Sequence, residues 1–195
     1  KPASRELLIQ RMKTHIQTVM SRYKGRIKGW DVVNEAFEDD GTYRQSPWYQ
    51  IIGPEYIEMA FRFAHEADPD AELYYNDYSM SNPAKREMVC KIVKGLKAKG
   101  LRVDGIGMQS HNGLTWPDMA DYEASIEAFA DCGANVMITE LDMNVLPNPD
   151  SFSGAEVSQN FEYNQRMDPY KNGLPNDVAQ RINDRWLEFF KLYKR

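Results

Sequence analysis

Two glutamates offer most of the chemistry in this sequence. Glu35 closes the run Gly29-Trp30-Asp31-Val32-Val33-Asn34-Glu35, which reads as a short buried strand ending in an amide and a carboxylate. Glu140 lies at the end of a second such run, Val136-Met137-Ile138-Thr139-Glu140-Leu141-Asp142, about a hundred residues further on. Taken singly, either glutamate also reads as the first polar residue of a surface loop. As a pair at the carboxyl ends of strands, they lie where parallel α/β folds keep reactive groups. Two carboxyls among amides and aromatics, with no metal motif, suit glycoside hydrolysis. One protonates the leaving oxygen, and the other attacks the sugar carbon or activates water.

Further polar residues close the neighbouring runs. Side chains two apart on a strand share a face, which pairs Asn76 with Tyr78, Gln109 with His111, and Glu140 with Asp142. Each pair follows an apolar strand body. With Asn34 and Glu35 they predict one polar cleft across the carboxyl ends of four neighbouring strands.

The elements that must position these residues follow from periodicity. Leu8, Met12, Ile16, Val19 and Tyr23 mark a helix over 4–24 that Gly25 stops. A strand over 27–35 leads into a polar loop, and Gly53-Pro54 opens a second helix. Leu73 to Tyr78 reads as the second strand, and Asn82-Pro83 as the cap of a third helix. Gly105 to His111 is the third strand, followed by a helix capped near Asp121. Asn135 to Met143 is the fourth strand. A stretch rich in Asn, Pro, Ser and Gly runs from Asn144 to Pro175, before a final helix capped by Asp177. Strand starts recur roughly every thirty to forty residues, the period of a βα unit in a barrel. A doubly wound sheet gives the same alternation, but no Gly-rich phosphate loop follows any strand.

Composition narrows the function classes. The chain of 195 residues is 42% hydrophobic, enough for the core of one domain. With 24 basic against 29 acidic residues, its net charge of −5 provides no footprint for nucleic acid. No apolar run is long enough to span a membrane, and Lys1-Pro2-Ala3-Ser4 do not form a signal peptide. Cys90 and Cys132 make neither a disulfide framework nor a zinc motif and read as buried thiols. His15, His65 and His111 are scattered, and Asp39-Asp40-Gly41 lacks the spacing of a calcium loop. No metal or cofactor is indicated. The 4 Trp, 11 Tyr and 8 Phe residues can stack on sugar faces or fill a core, and Trp48 and Trp116 are candidates for distal sugar contacts. Trp30 reads as core, and Asp31 as a structural hydrogen-bonding group.

Four ordered motifs carry a family resemblance: Trp30-Asp31-Val32-Val33-Asn34-Glu35-Ala36, Tyr75-Asn76-Asp77-Tyr78, Gly105-Ile106-Gly107-Met108-Gln109-Ser110-His111 and Ile138-Thr139-Glu140-Leu141-Asp142. Together with Arg22-Tyr23-Lys24-Gly25-Arg26 and Ser46-Pro47-Trp48-Tyr49, they resemble the signatures of family 10 glycoside hydrolases, endo-β-1,4-xylanases with a (β/α)8 TIM barrel. The resemblance implies that Glu35 is the acid/base and Glu140 the nucleophile of a retaining mechanism, with the two carboxyls about 5–5.5 Å apart. The charge on Glu140 would hold a proton on Glu35 until the sugar ester forms. It further implies that Asn34 contacts the sugar 2-hydroxyl, that His111 meets Glu140 and is oriented by Asp142, and that Gln109 lies beside them. Asn76 and Tyr78 would contact xylose units on the leaving-group side.

Four strands and five helices supply only about half of such a barrel. The resemblance therefore implies a companion segment or second chain that completes the barrel and the non-reducing-side sugar surface, with xylan or xylo-oligosaccharide as partner and a secreted or cell-envelope location. Another retaining β-1,4-glycanase, cellulase-like, stays open as an alternative. So does a non-catalytic carbohydrate-binding fragment.

Overall fold

A computed structural model describes residues 3–147 and 167–195. Its helices are α1 (Arg5–Tyr23), α2 (Pro47–Ile52), α3 (Glu55–Ala67), α4 (Pro83–Ala98), α5 (Met119–Asp131) and α6 (Asn176–Tyr193). The strands are β1 (Gly29–Asn34), β2 (Glu72–Asp77), β3 (Gly105–Met108), β4 (His111–Gly113), β5 (Asn135–Ile138) and β6 (Asp142–Asn144). Strands β1, β2, β3 and β5 form one parallel sheet in that order, and β4 pairs with β6 beyond its carboxyl end. The order never reverses, as it would at the switch point of a doubly wound sheet.

The two faces of the sheet differ. Leu73, Tyr75, Asp77, Ile106 and Met108 are buried against the helices. The opposite face carries two rows in register, Asp31, Tyr74, Gly105 and Asn135, then Asn34, Asn76, Gly107 and Met137. A bulge in β1 between Asp31 and Val33 brings Asn34 into the second row, since an extra residue flips the parity of the strand. The glycines serve these rows. A Cβ on Gly105 would lie 2.0 Å from the Tyr74 ring, and one on Gly107 would lie 2.4 Å from Asn76 Oδ1. Each glycine leaves room for its neighbour's side chain to cross the sheet.

The structure corrects the expected elements in five places. The third and fourth strands are each broken: β3 stops at Met108 and β4 resumes at His111, while β5 stops at Ile138 and β6 resumes at Asp142. Ser110 holds a φ of 63° at the first break, which turns the chain out of the ladder. Six helices, rather than five, occur among the described residues. The extra one is α2, whose Ser46 side chain accepts from Tyr49 N with Pro47 in its first turn. Helix α5 is capped by Asp118, which accepts from Ala120 N and Asp121 N, and not by Asp121. At α6 the cap position is Pro175; Asp177 lies in the first turn, where its charge favours the helix dipole. Most of the Asn- and Pro-rich stretch, residues 148–166, lies outside the described residues.

Candidate active site

Seven of the eight predicted residues converge at the carboxyl end of the sheet. Asn76 leaves the end of β2 and crosses the space above Gly107, where its Nδ2 donates to Asn34 Oδ1 at 2.9 Å and to Glu140 Oε1 at 3.0 Å. Its Oδ1 accepts from Thr139 Oγ1 at 2.7 Å, which fixes which way the amide points. Gln109 Nε2 donates to Glu35 Oε1 at 3.0 Å and to Asn34 Oδ1 at 3.3 Å. A run of three amides, Gln109, Asn34 and Asn76, thus connects Glu35 to Glu140. Asn34 uses only its oxygen in this run, so its amide hydrogens have no partner among the described residues.

His111 lies between two carboxylates. Its Nδ1 is 3.0 Å from Asp142 Oδ2, and its Nε2 is 3.4 Å from Glu140 Oε2. The parallel register of β4 and β6 pairs His111 with Asp142 directly. The two contacts fix the plane of the ring and hold the Glu140 carboxylate from the side opposite Asn76. Asp31, one row below, has its carboxyl pushed up from the usual range by burial and by the charge of Glu140. Among the described residues the Asp31 side chain makes no hydrogen bond, so the expected structural one is not seen. Trp30 is half-buried against the core.

Glu35 itself follows the last residue of β1 with a φ of 54°, a region that costs a non-glycine residue energy and is found where the surroundings enforce it. Its N–H donates to the Asn76 carbonyl at 3.0 Å. Beyond it the chain makes a hairpin in which Phe37 bridges Tyr43 and Arg44 N donates to Ala36 O. The tip is Asp40-Gly41, with Asp40 Oδ1 accepting from Thr42 N and Oγ1. The acidic tip therefore serves a turn. Its return strand places the Arg44 guanidinium 2.7 Å from Glu35 Oε2.

Tyr78 stands apart from this network. It is buried just past β2, with the Lys85 ammonium 3.5 Å from its ring centroid, and it makes no hydrogen bond to the other predicted residues. Arg44 and Thr139 are site residues that the sequence pattern does not single out. Arg44 arrives through the hairpin, and Thr139 through strand register. Two cavities flank the site. One of about 560 Å³ is lined by Asn34, Glu35, Arg44 and Trp48; the other, of about 270 Å³, is lined by His111, Trp116 and Tyr122.

Residues 1–179 match the model of glycosyl hydrolase family 10. The chain is 60% identical over its full length to endo-1,4-beta-xylanase A of Xylanibacter ruminicola, covering 53% of that protein. Among solved structures, a GH10 endoxylanase from a sugarcane soil metagenome superposes with a TM-score of 0.91 at 46% identity, over 98% of this chain and 55% of that one. An intracellular xylanase of Thermoanaerobacterium saccharolyticum, in complex with xylotriose, superposes at 0.81 with 39% identity, over 100% of this chain and 54% of that one. The chain thus spans about half the length of the relatives it matches. Its parallel strands and flanking helices are part of a (β/α)8 barrel, and the chain belongs to glycosyl hydrolase family 10.

Proposed function

We propose that this chain supplies both catalytic carboxyls of a retaining endo-β-1,4-xylanase that acts on xylan and xylo-oligosaccharides. The observation that carries the reading is the amide run from Glu35 to Glu140, which holds two carboxyls over one cleft at the carboxyl end of the sheet. The names of the relatives supply the substrate class.

In the first step Glu140 attacks the anomeric carbon while Glu35 protonates the departing glycosidic oxygen. Asn76 and His111 grip the two oxygens of Glu140 and orient it for attack. The amide hydrogens of Asn34, without a partner among the described residues, are left to donate to a sugar hydroxyl next to the reacting carbon. In the second step Glu35 takes a proton from water, which then displaces Glu140 from the sugar. Arg44 and Gln109 receive the negative charge that Glu35 acquires in the first step.

The remaining strands of the barrel come, in this reading, from a companion segment or second chain. It would pair with the open edges of β1 and β5 and contribute the rest of the sugar-binding surface.

The test uses a complete barrel carrying this sequence. Glu140→Ala should abolish turnover of every substrate. Glu35→Ala should lose at least about a hundredfold on xylan yet keep activity on aryl xylobiosides with good leaving groups. NMR of the first product should show the anomeric configuration retained. Xylanase activity unchanged in either variant, or an inverted product, rejects the assignment.

A further inference from the structure

Behind the sheet, on the face away from the cleft, lies a buried polar chain that the proposed mechanism does not use. Lys85, near the start of α4, is 0% exposed. Its ammonium has three protons and three acceptors: Asp77 Oδ1 at 3.2 Å, the Tyr78 carbonyl at 3.1 Å and Asp39 Oδ1 at 3.3 Å. Asp77, also 0% exposed, uses Oδ1 for Lys85 and for the Tyr78 N–H at 2.8 Å. Its Oδ2 accepts from the Tyr75 hydroxyl. That hydroxyl in turn accepts from the Ala36 N–H at 3.2 Å.

The direction of the chain is fixed by its ends. A backbone N–H can only donate, so the Tyr75 oxygen must accept from Ala36 and pass its own proton towards Asp77. Asp77 takes that proton best as an anion, and Lys85 is the buried cation facing it. Ala36 is 2% exposed, so its N–H has no access to water as a substitute partner.

The anchored peptide is the one that follows Glu35, whose φ of 54° needs enforcing. The peptide N–H before it is already held by the Asn76 carbonyl. The two peptides that set the backbone at Glu35 are therefore both pinned to β2, one through its backbone and one through the Tyr75 hydroxyl. Asp39 brings the hairpin that carries Arg44 onto the same ammonium.

We propose that Tyr75, Asp77 and Lys85 form a positioning relay that holds the left-handed turn at Glu35 and so aims its carboxyl at the leaving oxygen. The inference rests on the reading of Glu35 as the acid/base. It assigns to these residues a role in proton donation and none in contacting sugar.

The experiment compares two substrates in a complete barrel carrying this sequence. A xylobioside with a phenol-type leaving group needs acid assistance, whereas a 2,4-dinitrophenyl xylobioside does not. Tyr75→Phe removes one oxygen and keeps the ring. It should lower kcat/KM about 10- to 100-fold on the first substrate, with KM little changed, and by no more than about threefold on the second. Asp77→Asn, which keeps the shape of the side chain, should repeat the pattern and carries the comparison if the first variant folds poorly. Equal losses on both substrates would mean that the relay supports the fold alone, and would overturn the proposal. Glu35→Ala is measured in parallel: if it lacks the leaving-group dependence, the acid/base reading fails, whereas if it shows it and Tyr75→Phe does not, only the relay fails.

Discussion

Arg44 sets the charge balance at Glu35. The two side chains are 24% and 22% exposed and meet at 2.7 Å, a charge-assisted hydrogen bond in a partly dry site. As Glu35 gives up its proton in the first step, this neighbour stabilises the negative charge left behind. Replacing Arg44 with Met in the complete barrel should therefore lower kcat/KM on xylo-oligosaccharides about tenfold while largely sparing a 2,4-dinitrophenyl xylobioside, whose departure needs no acid. Equal losses on the two substrates, or none on either, contradict this account of the pair. Glu35, Asn76, Gln109 and His111 are legible in the sequence because a polar residue at the end of an apolar run stands out without knowledge of its partner. Arg44 is not, since only the hairpin between Ala36 and Arg44 returns it to the cleft. Thr139 is hidden for a related reason: its hydroxyl matters only because Gly107 lets Asn76 reach it.

Among the elements, the strands and long helices follow the hydrophobic pattern, while their interruptions do not. Ser79 and Ser110 hold positive φ without being glycine, and no residue type announces such a turn. Helix α2 carries an N-terminal signal, Ser46-Pro47, but its six residues are too few for periodicity to register. Lys85 is the sharpest case. In the pattern of α4 it reads as a solvated lysine, and it is buried only because Asp77 projects from the back of β2 to meet it. This pair leads to a prediction about stability. Burial pushes the Asp77 carboxyl up to about 6 from its ordinary 3.8, with the Lys85 charge pulling it the other way. The folded state then holds this proton more tightly than the unfolded chain does between those two values. The stability contributed by Asp77 is fully present below the lower value and is lost as pH rises through the upper one. Carboxyls such as Glu58, held below the usual range by Lys99 and Arg62, act in the opposite sense but cancel in a difference. Urea unfolding of the complete barrel and its Asp77→Asn variant should therefore show wild type minus variant falling between about pH 4 and pH 6. A difference that rises over that window would mean that pairing with Lys85 outweighs burial.

At the scale of the whole molecule, the sheet formed by the described residues has an open edge on each side. Among the described residues, strands β1 and β5 each have one neighbour, and a sheet edge left so presents a row of unpaired backbone groups that invites association. Met137 on the inner face of the sheet is 46% exposed, and Leu187 and Phe190 on α6 are 53% and 54% exposed. The cavity beside Trp48 also runs along β1, lined by Met12, Ile16 and Val32. Apolar surface on this scale is costly in water, and a barrel closes only when every strand has two neighbours. Residues 1–195 produced alone should therefore self-associate, bind a hydrophobic dye and unfold without a sharp transition. Production together with the complementary barrel segments of the 60%-identical xylanase should instead give a 1:1 complex with xylanase activity. Light scattering, dye binding and a reducing-sugar assay separate these cases. A monodisperse, cooperatively unfolding monomer of residues 1–195 would count against the companion segment, because it would show that the open edges and exposed faces are tolerated as they stand. An inactive 1:1 complex would separate the two proposals, since closure would then be established while the chemistry at Glu35 and Glu140 was not.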